Sequence, residues 1–140
     1  MSKVAVVYWS STGNTEAMAE AVKAGAEAAG AEVSLFDTAS FSANQVDEYD
    51  ALAFGCSAQG DEELEADEFE PLFADCEDKL AGKKVALFGS YDWGDGEWMR
   101  SWEERCKGKG IELAAASVIC HDMPDDEGKA NCEALGKALA

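Results

Sequence analysis

Six consecutive residues, Ser10-Ser11-Thr12-Gly13-Asn14-Thr15, bring four hydroxyls, a carboxamide and a glycine together between an apolar run and an amphipathic segment. The apolar run, Val4 to Trp9, reads as a strand buried on both faces of a parallel sheet. The segment behind it places Met18, Ala21, Val22, Gly25, Ala26 and Ala29 on one face at helical spacing. A hydroxyl-rich turn at a helix N-terminus aims side-chain donors and backbone N–H groups at one point, which suits a phosphate dianion. The turn holds neither Lys nor Arg, so neutral donors and the helix dipole would carry the anion. Nucleotide-hydrolysing loops bring a lysine; this one does not. The competing reading is a plain N-cap, but a cap uses one hydroxyl.

The elements that position this turn follow from the rest of the chain. Short apolar runs at Glu32 to Phe36, Asp50 to Cys56 and Lys84 to Ser90 read as strands, and Ile111 to Ile119 reads as the last one. Helical spacing appears in Phe69, Leu72, Phe73 and Cys76, in Met99, Trp102 and Cys106, and in Cys132, Leu135 and Leu139. Pro71 falls in the first turn of the second helix, or bends it. Strands alternating with helices predict one α/β domain over residues 1–140: a three-layer sandwich with a five-stranded parallel sheet of order 2-1-3-4-5. Its topological switch lies between strands one and three, where a ligand is expected at the carboxyl ends. Three loops open there: the hydroxyl turn, Ser57 to Glu62, and Tyr91 to Trp98.

Composition narrows the class. With 47% apolar residues the 140-residue chain carries enough for a core. Nothing in it reads as a signal peptide or a membrane span, which predicts a cytoplasmic protein. Five scattered cysteines without a CxxC pair read as buried thiols in a reducing compartment, and a single histidine, His121, leaves no zinc-type cluster. The net charge of −18 argues against nucleic acid and anionic membrane as partners. Seven acids lie between Asp61 and Glu70, a clustering that points to a local purpose beyond solubility.

Trp93, between Asp92 and Gly94 at a loop tip, reads as a stacking platform for a flat ligand, whereas Trp98 and Trp102 read as helix core. Together with the hydroxyl turn, Gly55-Cys-Ser-Ala-Gln-Gly-Asp-Glu62, Phe69-Glu-Pro71, Gly82 to Tyr91 and Trp93-Gly-Asp-Gly-Glu-Trp-Met-Arg100 resemble short-chain bacterial flavodoxins of the anaerobe type. The resemblance runs over essentially the whole chain, in order. It implies bound FMN and an electron carrier rather than an enzyme.

Carried over by position, the resemblance gives Ser10, Ser11, Thr12, Gly13, Asn14 and Thr15 the 5′-phosphate, with Ser57 and Ser90 nearby. It stacks Trp93 on one ring face and Gln59 on the other, gives Glu62 the ring N3–H, and sets backbone groups around Asp92 and Gly94 at the pyrimidine edge. Ala58, Gly60, Asp61 and Tyr91 complete the contacts. This chain carries Gln59, Asp92 and Ser11 where relatives commonly have Met, Gly and Gly. A rotation of the Gly60-Asp61 peptide on one-electron reduction, letting the Gly60 carbonyl accept the new N5–H, would stabilise the semiquinone. The nearby acids would lower the potential of the step to hydroquinone. The expected partners are basic-patched reductases and electron acceptors, met transiently by a monomer. Two other classes share the fold, a flavin reductase enzyme and a signalling receiver. The receiver needs acids after strand one, where this chain has hydroxyls.

Overall fold

The computed structural model describes residues 2–59, 62–92 and 94–140. Five strands, β1 (Lys3–Trp9), β2 (Glu32–Asp37), β3 (Ala51–Cys56), β4 (Lys84–Tyr91) and β5 (Val118–His121), form a wholly parallel sheet of order β2-β1-β3-β4-β5. The predicted order and fold class are those observed. Helices α1 (Asn14–Ala28), α2 (Phe69–Glu77), α3 (Glu97–Gly108) and α4 (Asp126–Leu139) cover both faces, and a 3-10 turn spans Ala43–Glu48.

Strand alternation divides the core into two layers. Val4 and Val6, Ala51 and Ala53, and Ala86 and Phe88 point to the layer under α1 and α4. Ala5 and Val7, Leu52 and Phe54, and Val85 and Leu87 point to the layer under α2 and α3, where Phe69, Phe73, Trp98 and Trp102 pack. Small residues on the first face let α1 and α4 come close to the sheet and to each other. A Cβ on Gly136 would stand 2.0 Å from the Val22 carbonyl oxygen, and one on Gly25 would stand 2.0 Å from that of Glu133. Two glycines, one on each helix, thus permit backbone-to-backbone contact.

Local signals explain the boundaries. Gly30, at φ +98°, turns the chain after α1. Pro71 occupies the first turn of α2, where a missing N–H costs nothing. Asp125 caps α4 by accepting the Gly128 N–H at 2.8 Å.

Two expectations need correction. Ala29, assigned to the buried face of α1, is exposed because the helix ends at Ala28. The run Ile111 to Ile119 is not one strand. Leu113 makes a single parallel bridge to Val85, the chain then leaves the sheet, and β5 begins at Val118 opposite Phe88. Ala114 still donates its N–H to the Val85 carbonyl at 2.8 Å. The step from Leu113 to Val118 spans two more residues than the step from Val85 to Phe88, so Ala115 to Ser117 fall outside the ladder. Alanines have little to hold them in a pleated edge.

Candidate functional site

The hydroxyl turn leaves β1 and enters α1 through Gly13, which sits at the N-cap in the left-handed region (φ 92°) with no side chain capping the helix. The plain-cap reading therefore fails, and the N–H groups of the first turn face outward without a side-chain acceptor. Ser10 Oγ accepts the Gly13 N–H at 3.0 Å and so shapes the turn itself. Ser11 and Thr12 are exposed.

Thr15 behaves differently from its neighbours. Its hydroxyl is fully buried, 2.6 Å from Ser57 Oγ and 3.1 Å from Ser90 Oγ, and it also accepts the Ser90 N–H at 3.3 Å. These three hydroxyls tie the first turn of α1 to the carboxyl ends of β3 and β4, so three loops distant in sequence meet at fixed separation.

A cavity of about 300 Å³ opens at this junction. Ser11, Thr12 and Asn14 line one side, and Ser57, Ala58 and Gln59 line the next. Ser90, Tyr91 and Asp92 close it, joined by Asp122 from the loop after β5. Ser10 lines a separate hollow with Tyr8, Trp9 and Glu16. There Tyr8 donates to Glu16 Oε2 at 2.9 Å, and burial together with that carboxylate pushes the phenol up to about 12. Gly60, Asp61 and Trp93, expected at the ring, lie outside the described residues.

Sequence reasoning passed over the support of the third loop. His121 Nε2 lies 3.1 Å from the Asp92 carbonyl oxygen and its ring sits 5.2 Å from that of Tyr91. Asp122 donates its N–H to the Tyr91 carbonyl at 2.8 Å, with φ at +59°. His121 is exposed at the end of the edge strand, and it also positions a loop of the cavity. The signal for both residues was topological: the loop after β5 opens on the same sheet edge as the other three.

The acidic run proves largely architectural. Glu62 Oε1 accepts the N–H groups of Gly96 and Glu97, at 3.2 and 3.0 Å, and so caps α3. Gly94, at φ +88°, makes room for it: a Cβ there would stand 2.6 Å from the Glu62 carboxyl carbon. Glu65, 9% exposed, accepts the N–H groups of Asp67, Glu68 and Phe69 at the start of α2. Burial acts most strongly on its carboxyl and upward, yet the three N–H bonds together hold it below the usual carboxylate range. Glu70 pairs with Arg105 of α3, and Glu68 accepts the Thr38 hydroxyl. Glu63 and Asp67 are exposed.

A larger cleft, about 470 Å³, lies between α2 and α3 and is ringed by Glu62, Glu63, Glu70 and Glu97. Four carboxylates suit a phosphate poorly. The cavity at the sheet edge offers hydroxyls, amide donors and an uncapped helix N-terminus, a donor set that fits the phosphate of a cofactor. Trp98 braces that edge by donating Nε1–H to the Cys56 carbonyl at 3.1 Å.

An all-parallel 2-1-3-4-5 sheet with a hydroxyl-lined cavity at its switch point defines a doubly wound α/β protein of the flavodoxin-like class. A family profile described as Flavodoxin matches residues 6–136. The chain is 45% identical over 135 residues to the flavodoxin of Clostridium beijerinckii, covering 96% of this chain and 97% of that one. It is 44% identical over 137 residues to the flavodoxin of Megasphaera elsdenii, covering 98% of each. The solution structure of the two-electron reduced Megasphaera elsdenii protein superposes with a TM-score of 0.89 at 45% identity, over 97% of both chains. An archaeal flavodoxin superposes at 0.86 with 28% identity, over 99% of this chain and 96% of that one. The chain belongs to the flavodoxin family, whose members are electron carriers rather than enzymes, and the family implies a flavin cofactor. Among the described residues no helix is long and apolar enough to cross a membrane.

Proposed function

We propose that the chain binds FMN in the cavity at the sheet edge and serves as a low-potential one-electron carrier, shuttling mainly between the semiquinone and hydroquinone forms. Bound FMN supplies the redox chemistry; the protein binds, orients and sets the electrostatics. The observation that carries the reading is the uncapped N-terminus of α1 held against β3 and β4 by Thr15, Ser57 and Ser90.

In this reading Ser10, Ser11, Thr12, Gly13, Asn14 and Thr15 form the phosphate turn. The exposed hydroxyls and first-turn N–H groups meet the dianion, while Ser10 and Thr15 hold the turn in shape. Gln59 and Ala58 cover one face of the ring, and Trp93 stacks on the other. The backbone of Tyr91, Asp92 and Gly94 meets the pyrimidine edge. Glu62 accepts the ring N3–H; a carboxylate has lone pairs beyond the two donors that α3 supplies. Gly60 and Asp61 would supply a peptide whose Gly60 carbonyl can accept a hydrogen bond from the flavin N5–H.

The remaining exposed carboxylates orient weak, salt-sensitive encounters with basic-patched reductases and acceptors in the cytoplasm, and the carrier works as a monomer. Residues 1–140 form a single FMN-binding domain in this reading. The decisive experiment is a stepwise anaerobic reductive titration of the FMN-loaded protein. Accumulation of the long-wavelength band of one-electron-reduced flavin is expected. Direct bleaching in one two-electron step would overturn the one-electron reading, and failure to take up FMN would overturn the site.

A further inference from the structure

Two cysteines lie on the side of the sheet covered by α1 and α4. Cys120 lies on edge strand β5 and is 8% exposed; Cys132 lies on α4 and is fully buried. Both belong to the same core layer, whereas Cys56, Cys76 and Cys106 lie in the opposite one. Gly128 lets helix and strand close on each other: a Cβ there would stand 2.8 Å from Cys120 Sγ. Cys132 follows Gly128 by four residues, one helical turn on along the same face. The neighbouring Cys132 thiol holds the Cys120 thiol below its ordinary value, while burial pushes the thiols of Cys56, Cys76 and Cys106 up to about 12.

We propose that Cys120 and Cys132 are a redox-responsive dithiol that a hydroperoxide closes to an intramolecular disulfide between β5 and α4. The Cys120 thiolate, the more accessible sulfur, attacks the peroxide oxygen. The O–O bond breaks, a sulfenic acid forms on Cys120, and with hydrogen peroxide the leaving hydroxide takes up the thiol proton as water. The Cys132 sulfur then displaces hydroxide from Cys120, forming the S–S bond and releasing a second water with its own proton. Two thiols lose two electrons and two protons, and one hydrogen peroxide becomes two waters.

The strand end so anchored continues directly into His121 and Asp122, which hold the carbonyls of Asp92 and Tyr91. The bridge would therefore act at the base of the third loop. That consequence rests on the FMN reading, whereas the bridge itself does not.

The test treats the full-length, FMN-loaded protein in the dark with one equivalent of hydrogen peroxide, then counts thiols after denaturation. Five free thiols should fall to three. A non-reduced tryptic digest should hold the peptide ending at Lys129 joined to the one that follows it, since Lys129 lies between the two cysteines. In Cys132→Ser the reaction should stop at a dimedone-reactive Cys120, while Cys76→Ala should still lose two thiols. Five thiols persisting, a bridge between any other pair, or a disulfide-linked dimer would each overturn the proposal.

Discussion

Thr15 Oγ1 and Ser57 Oγ lie 2.6 Å apart in a fully buried pocket, although 42 residues separate them. With Ser90 completing the group, the hydroxyl that looked like a fourth phosphate donor instead fixes the hydroxyl turn to the sheet. Replacing Thr15 by Val keeps the shape and removes the hydroxyl. Two serines are then left facing a methyl group, at a cost of about 1–3 kcal/mol. Urea unfolding of the cofactor-free variant should show that loss, and FMN affinity should fall about tenfold or more. Unchanged affinity would mean that the turn holds its geometry without this tie.

Gly94 is expected to be among the least substitutable positions. Gly94→Ala places a Cβ 2.6 Å from the Glu62 carboxyl at a backbone φ of +88°. Either the left-handed strain or displacement of Glu62 follows, at about 1–3 kcal/mol. Hydrogen exchange at the Gly96 and Glu97 amides reports which: both should speed up as Glu62 leaves the start of α3. Protection equal to the parent's would refute the coupling.

Glu65 gives the fold a specific acid sensitivity. Its carboxyl is held below the ordinary range by three backbone N–H groups that outweigh burial. A depressed carboxyl contributes stability that is complete above its unfolded value, about 4.3. That contribution is lost as pH falls through the lower folded value. Glu65→Gln should therefore be less stable than the parent by about 1 kcal/mol near neutral pH. The two unfolding curves should converge in the acid range. A constant gap across pH would show that packing, not charge, is what the substitution removes.

Asp92 lines the cavity and is exposed. A carboxylate about 8 Å from a newly placed electron, at an effective dielectric of about 20, opposes it by about 2 kcal/mol, or about 90 mV. Solvent and salt reduce this to tens of millivolts at an open site. Asp92→Asn should accordingly raise the second one-electron potential, with a shift that shrinks as ionic strength rises. A potential that does not move would remove Asp92 from the electrostatics.

The strand order and the two core layers were legible because parallel strands read as apolar runs and helices as spaced stripes. The run from Ile111 to Ile119 misled because hydrophobicity alone cannot register a bulge of alanines at an edge. The convergence of Ser57, Ser90 and the hydroxyl turn followed from topology. The inward rotation of Thr15 did not, since Ser and Thr look alike in a turn until the partner strands are present. Seven clustered acids pointed to a local purpose without revealing it: Glu62 and Glu65 hold helix termini more than twenty residues apart. Backbone N–H acceptance leaves no periodic trace in sequence.

The hydroxyl cluster also sets a timetable for synthesis. Thr15 and Ser90 are 75 residues apart, and β1 sits inside the sheet, paired with both β2 and β3. A chain emerging from a ribosome can pair its first two strands early, but the phosphate turn has nothing to lean on until β4 has left the exit tunnel. Fragments that stop short of Ser90 should therefore compete for no cofactor, so nascent chains would not sequester FMN before the domain is nearly whole.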